Sequence, residues 1–365
     1  MIARSGPKFI AAVIVTAFTL GSNPVIARPQ SGFPLGDTRL THRERSFGFD
    51  TPYHLLDMSD SGRYVAFSWI RGKTGWLGVI DLEQRSLRLL AEEYGPDDAE
   101  FSPDETEIAF VNNSKLWIVN ISGDEVVEVA RVHLNSKLWW LDDGRLAYVD
   151  PDRRLVVQQP TADPEPTPLR IPDPAGRDDL VDNVSVSPDG SRALYARSCR
   201  PWLVDLVTGE EAALAPRPKK KWFGYAIPPH AWAPDGAHLL VQRVAAFKCA
   251  QPSGPGGRDI LYTGAGERIG DVLGADEDLS HGHGVSWSTD SRWLFVTVQP
   301  TGTQVSGLQE LWAVDLVNRN RSLLFPARVA SHAFADDNGR VVVSRFHTTS
   351  VLRADGALIS GTLEP

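Results

Sequence analysis

Short runs in which apolar and polar residues alternate recur along the chain, each broken by a turn sequence and resumed beyond it. The clearest is VSVSPDGSRALYARS, Val184 to Ser198. An alternating strand enters a Ser-Pro-Asp-Gly turn in which Pro188 presets φ, Asp189 can bond its own backbone and Gly190 accepts a positive φ; a second strand leaves it. Related hairpins end their turns at Gly62, Glu105, Gly144, Gly236, Ser291 and Gly339, and Pro234-Asp235-Gly236 repeats the turn chemistry most closely. The seven turn ends lie 39 to 55 residues apart. A third strand follows each hairpin, as in WLGVIDL, LWIVNI and LWAVDLVNR, and a fourth apolar patch follows most of them. Four strands per repeat, seven times over, with almost nothing helical between, predict an all-β protein. The expected fold is a seven-bladed β-propeller with four antiparallel strands per blade, six blades being the alternative.

Aligned on the turn ends, the position four residues earlier is always apolar: Met58, Phe101, Trp140, Val186, Trp232 and Trp287, with Phe334 in the seventh repeat if its turn is one residue longer. These residues are expected to pack one blade against the next, and burial accounts for their bulk. First strands line the channel of a propeller. His54 and His283 stand eight residues before their turn ends, His230 six, and His332 matches His230 with the one-residue adjustment. The repeats that carry them are neighbours round a closed ring. His281 lies two residues before His283, so the two share a face if the strand begins that early. His54, His230, His281, His283 and His332 are therefore the candidate ligands of one divalent metal, such as manganese or zinc, with Asp276, Glu277 and Asp278 nearby. The competing reading makes these histidines ordinary backbone-bonding groups at strand starts, where Asp97 and Asp182 stand in other repeats.

The Ser-Pro-Asp-Gly hairpin, followed by Ile108-Ala109-Phe110 or Val65-Ala66-Phe67 and then by a Trp-x-Val-Asp-Leu strand, resembles the WD40-like (PD40) repeat of TolB-type propellers over residues 53–365. The resemblance implies the fold and no particular activity. TolB carries an α/β domain before six blades, whereas about 25 residues precede the first repeat here. Propellers of prolyl-oligopeptidase relatives carry a hydrolase domain, but no G-x-S-x-G occurs in this chain. His281-Gly282-His283 and the stretch from His230 to Gly236 are also similar to segments of oligogalacturonate lyases, a likeness that implies manganese held in the channel by histidines.

The chain opens with a basic lead, MIARSGPK, then an apolar run from Phe9 to Leu20 and a small-residue stretch ending at Ala27. This layout predicts a signal peptide over residues 1–27, a 28–52 N-terminal extension and a propeller domain over 53–365, in a periplasmic or secreted protein without stable membrane insertion. Loss of residues 1–27 removes Arg4 and Lys8 and no acid, leaving 35 basic and 46 acidic residues, a formal charge of −11. That charge excludes nucleic acid as the expected partner. The one basic cluster, Pro216 to Trp222, reads as a surface loop, and so does Gln251 to Asp259. Cys199 and Cys249 fall in loops between the second and third strands of adjacent blades and are expected to form a disulfide in an oxidising compartment. The leading expectation is a monomeric, non-catalytic platform for a protein partner, without cofactor and with no catalytic residue assigned. The alternatives are a metal-dependent lyase acting on acidic oligosaccharides and a small-ligand binding module without turnover.

Overall fold

A computed structural model describes most of residues 53–325 together with the strands 39–42, 48–49, 333–335, 340–350 and 353–364. The main breaks are 161–165, 170–183, 217–222, 246–257, 274–278 and 301–309; side chains are described for most of 55–323. The strands form six four-stranded antiparallel sheets, each from one contiguous stretch, and one five-stranded sheet. The first blade takes Tyr53–Met58, Tyr64–Arg71, Thr74–Asp81 and Ser86–Glu92. The second takes Asp98–Phe101, Glu107–Asn112, Lys115–Asn120 and Val126–Arg131. The third takes Leu138–Trp140, Leu146–Val149, Leu155–Gln158 and Thr167–Pro168. The fourth takes Val184–Val186, Arg192–Arg197, Arg200–Asp205 and Glu211–Ala213. The fifth takes Phe223–Ala226, His238–Ala245, Arg258–Thr263 and Arg268–Asp271. The sixth takes Leu279–Trp287, Trp293–Pro300, Glu310–Asp315 and Asn320–Phe325.

Among the described residues regular four-stranded blades number six, which favours the six-bladed alternative over seven such blades. The seventh repeat departs from the pattern because Arg353–Glu364 pairs, beyond Arg340–Ser350, with two strands from the other end of the chain, Arg39–His42 and Gly48–Phe49. The N-terminal strands occupy an edge that a following strand would otherwise cover. Within this sheet Ala333–Ala335 lies against both Leu279–Trp287 and Tyr53–Met58.

The period-two pattern explains how the core is divided. In Glu107–Asn112, Ile108 and Phe110 pack with Leu56 and Ala66 of the first blade, while Ala109 and Val111 pack with Leu138, Leu146 and Tyr148 of the third. Leu146–Val149 behaves alike, with Leu146 and Tyr148 on one interface and Ala147 and Val149 on the other. Successive side chains serve successive interfaces, so the second strands read as continuous apolar runs. The hydrophobic core is a set of blade-to-blade seams, and its hub is the ring of first strands.

The turns close as their residues dictate. Ser187 Oγ accepts the Arg192 amide at 2.9 Å and donates to Asp189 Oδ1 at 2.6 Å, while Asp189 accepts the Ser191 amide. Ser102 with Asp104 and Ser288 with Asp290 repeat this relay. All six described turn ends have positive φ, from 57° at Glu105 to 79° at Gly144; Gly339 lies outside the described residues. At the far end of the blade, the Asp of the third strand forms an Asx turn. Asp205 accepts the Val207 and Thr208 amides and Asp315 those of Val317 and Asn318. Arg63 and Arg292 bind Asp81 and Asp315 at 2.8 and 2.7 Å, tying the second strand to the third.

Candidate functional site

First strands carry side chains inward to the axis, and where they run into their hairpins they enclose a cavity of about 210 Å³ to which all six blades contribute. Its wall includes the apolar residue four before each turn end. Met58, Phe101, Val186, Trp232 and Trp287 are buried and Trp140 is half-buried. All but Met58, which clusters within its own blade, pack against the preceding blade as expected, and all six line the cavity. Three indoles are pinned by the preceding blade: Trp140 Nε1 donates to the Glu100 carbonyl at 3.1 Å, Trp232 Nε1 to that of Ser185 at 3.2 Å and Trp287 Nε1 to that of His230 at 2.9 Å.

One residue further back, at the position five before the turn end, the repeats differ. They hold Asp57, Glu100, Trp139, Ser185, Ala231 and Ser286. Both acids reach across a seam. Asp57 Oδ2 accepts the Phe101 amide at 2.8 Å and Glu100 Oε2 the Trp140 amide at 2.8 Å, so each binds the apolar anchor of the next blade. Burial pushes the Asp57 carboxyl up to about 8 against the pull of the Phe101 and Met58 amides, with Asp60 and Asp98 adding repulsion. Burial likewise holds Glu100 well above the carboxylate range, reinforced by Asp57 and Asp98 and opposed by the Trp140 amide and Lys137. Lys137 is itself 3.7 Å from Asp98. At the rim, Asp60 and Asp142 are both raised, by burial first and then by Glu105 and Asp142 at Asp60, and by Asp189 and Asp143 at Asp142. The cavity therefore combines indoles with carboxylates whose pKa values burial raises.

Of the expected histidines, His230 alone has a described side chain. It lines the cavity, with Nδ1 3.8 Å from Glu100 Oε1, and burial lowers its pKa. His54 lies in Tyr53–Met58 opposite Ser68, three residues behind Asp57 and so roughly 10 Å further along the strand from the hairpin end. His281 pairs with Val298, and the register then shifts before Val285 pairs with Val296. Between these pairs Gly282, His283 and Gly284 stand opposite Thr297 alone, a bulge in the ladder. The side chains of His54, His281 and His283 are not described, and His332 lies outside the described residues, as do Cys199 and Cys249. Among the described residues no three His, Cys, Asp or Glu side chains stand together as a metal-holding group.

Sequence reasoning passed over Asp57 and Glu100. The available signal was an acid placed between apolar residues, in LLDM and AEF, at a strand position where four other repeats have none.

No protein-family profile and no curated protein matches the chain in sequence. Solved structures do match in shape. The β-propeller domain of Cps50 (Swd1) from Myceliophteria thermophila aligns with a TM-score of 0.54 at 12% identity, over 88% of this chain and 99% of that one. The β-propeller domain of the Trilobed protease from Pyrococcus furiosus, which has an open velcro topology, aligns with a TM-score of 0.54 at 14% identity, over 86% and 97%. The chain is a β-propeller. At such identities the likeness establishes the fold alone. An oligogalacturonate lyase in complex with manganese covers 91% of this chain and 98% of its own at 13% identity, but its TM-score of 0.39 carries no argument.

Proposed function

We propose that the chain is an exported, monomeric, non-catalytic propeller of TolB-like type, whose hairpin face is a platform for a protein partner. The observation that carries this reading is the cavity at that face, open among exposed acidic turns and walled by fixed indoles. Platforms need a rigid scaffold that presents varied loops, and the repeated Ser-Asp relays supply the rigidity. The leader-like residues 1–27 support export, and the five-stranded sheet that joins the two ends of the chain ties the scaffold together. Asp60 and Asp142 are exposed turn residues whose carboxyls are partly shielded at the cavity rim, so Asp60→Lys with Asp142→Lys tests the face outside the hydrophobic core. Crosslinking in the native envelope fraction is expected to join the wild type to one partner and to lose it in the variant. Equal capture by both proteins would overturn the reading.

The second reading, a divalent-metal-dependent lyase in the channel, is favoured by one observation, the approach of His230 to Glu100 inside the cavity. The described residues do not complete a metal-holding set around that pair. Elemental analysis after metal-replete expression decides it. Stoichiometric metal lost in His230→Ala supports the enzyme, and its absence supports the platform.

A further inference from the structure

We infer that the axial cavity binds an organic cation, an alkylguanidinium or alkylammonium group, between its indoles and its carboxylates. The inference rests on the platform reading and names the chemistry that its central cup recognises. About 210 Å³ accommodates a small side-chain-sized group. Carboxylates enter from the first three blades, at Asp57, Glu100 and Asp142, while indoles enter from the third, fifth and sixth, at Trp140, Trp232 and Trp287. The asymmetry is informative because the fold does not impose it. The position of Asp57 and Glu100 is filled by Trp139, Ser185, Ala231 and Ser286 in the other blades, which close equivalent seams without a carboxylate there.

Buried negative charge needs a counter-ion or a proton. The groups that act on the pair are Asp60, Asp98 and Lys137, with His230 beside Glu100. Lys137 approaches Asp98, and burial holds His230 towards its neutral form. An incoming guanidinium or ammonium adds positive charge beside these carboxylates, and indole faces favour such cations over strongly hydrated inorganic ions. Because burial raises the pKa of both Asp57 and Glu100, the cation competes with protons there and binds more tightly as pH rises.

The test is isothermal titration of the mature protein with agmatine, and with a short peptide carrying one arginine or citrulline in its place. Saturable 1:1 binding at pH 8.5 that weakens about tenfold or more at pH 6, and again in Asp57→Asn with Glu100→Gln, supports the site. If that pair of substitutions lowers the melting temperature, Asp60→Asn with Asp142→Asn gives a second measure in an intact core, a severalfold loss being expected. Preference for the arginine peptide over both agmatine and the citrulline peptide identifies a partner's side chain as the source; preference for agmatine identifies a free small molecule. No saturable binding by either cation, or binding unchanged by both sets of substitutions, overturns the inference. Partner capture that survives such a failure leaves the platform reading standing, so the two fail separately.

Discussion

Asp57 is a residue where the seam and the cavity meet. Its carboxyl fastens the first blade to the second through Phe101, yet burial makes its charged form costly. In the unfolded chain it titrates near 3.8 and in the folded chain at about 8, so between those values the folded state binds the extra proton. The stability this contributes is fully present below the unfolded value and is lost as pH rises through about 8. Glu100 acts in the same direction. Asp81, Asp189 and Asp315 act oppositely, since each is held low by its partners and contributes stability that is lost only in acid. Melting temperature is therefore expected to fall between pH 5 and pH 8.5. Asp57→Asn, which keeps an acceptor oxygen for Phe101, should flatten that dependence; a wild-type profile that rises over this range refutes the account. The sequence made the apolar anchor beside Asp57 legible through its recurrence. It did not make the acid legible, because only packing against the next blade reveals that this side chain is withdrawn from water.

Hairpins are the elements whose chemistry was read most completely. Turn ends predicted from Gly, Glu105 and Ser291 all take positive φ where described, and the Ser-x-Asp relay explains why the flanking residues recur. Two of these glycines differ in their surroundings. A Cβ at Gly190 would stand 2.9 Å from Leu141 Cδ1, whereas one at Gly144 would meet nothing within 4 Å, and both have strongly positive φ. Gly144→Ala is expected to cost about 1 kcal/mol from backbone conformation alone. Gly190→Ala adds displacement of buried Leu141 and should cost roughly 1 to 2 kcal/mol more. Urea unfolding of the two variants measures the difference, and equal costs would show that the seam yields freely. The strand of His281 and His283 departs from a regular ladder. It begins at Leu279, early enough to hold both histidines, and its register shifts between His281 and Val285, a feature that depends on the facing strand.

At the scale of the whole molecule, the ring joins its two ends. Arg39–His42 and Gly48–Phe49 pair with Arg353–Glu364, so residues remote in sequence share one sheet. Deleting residues 28–52 exposes that edge. It is expected to lower the melting temperature by several degrees and to promote association through the unpaired strand. An unchanged melting temperature and a monomeric elution profile would mean that the pairing contributes nothing to closure.

The sequence by itself determined the repeat, the hairpin chemistry and the radial packing of sheets, because strand alternation and turn conformation are local and each repeat states them again. The tertiary structure decided the rest. Which acids lose water, which indoles are pinned, how the last repeat completes its sheet and where the cavity opens all depend on contacts between residues about 40 or more positions apart, and local pattern carries no record of those distances.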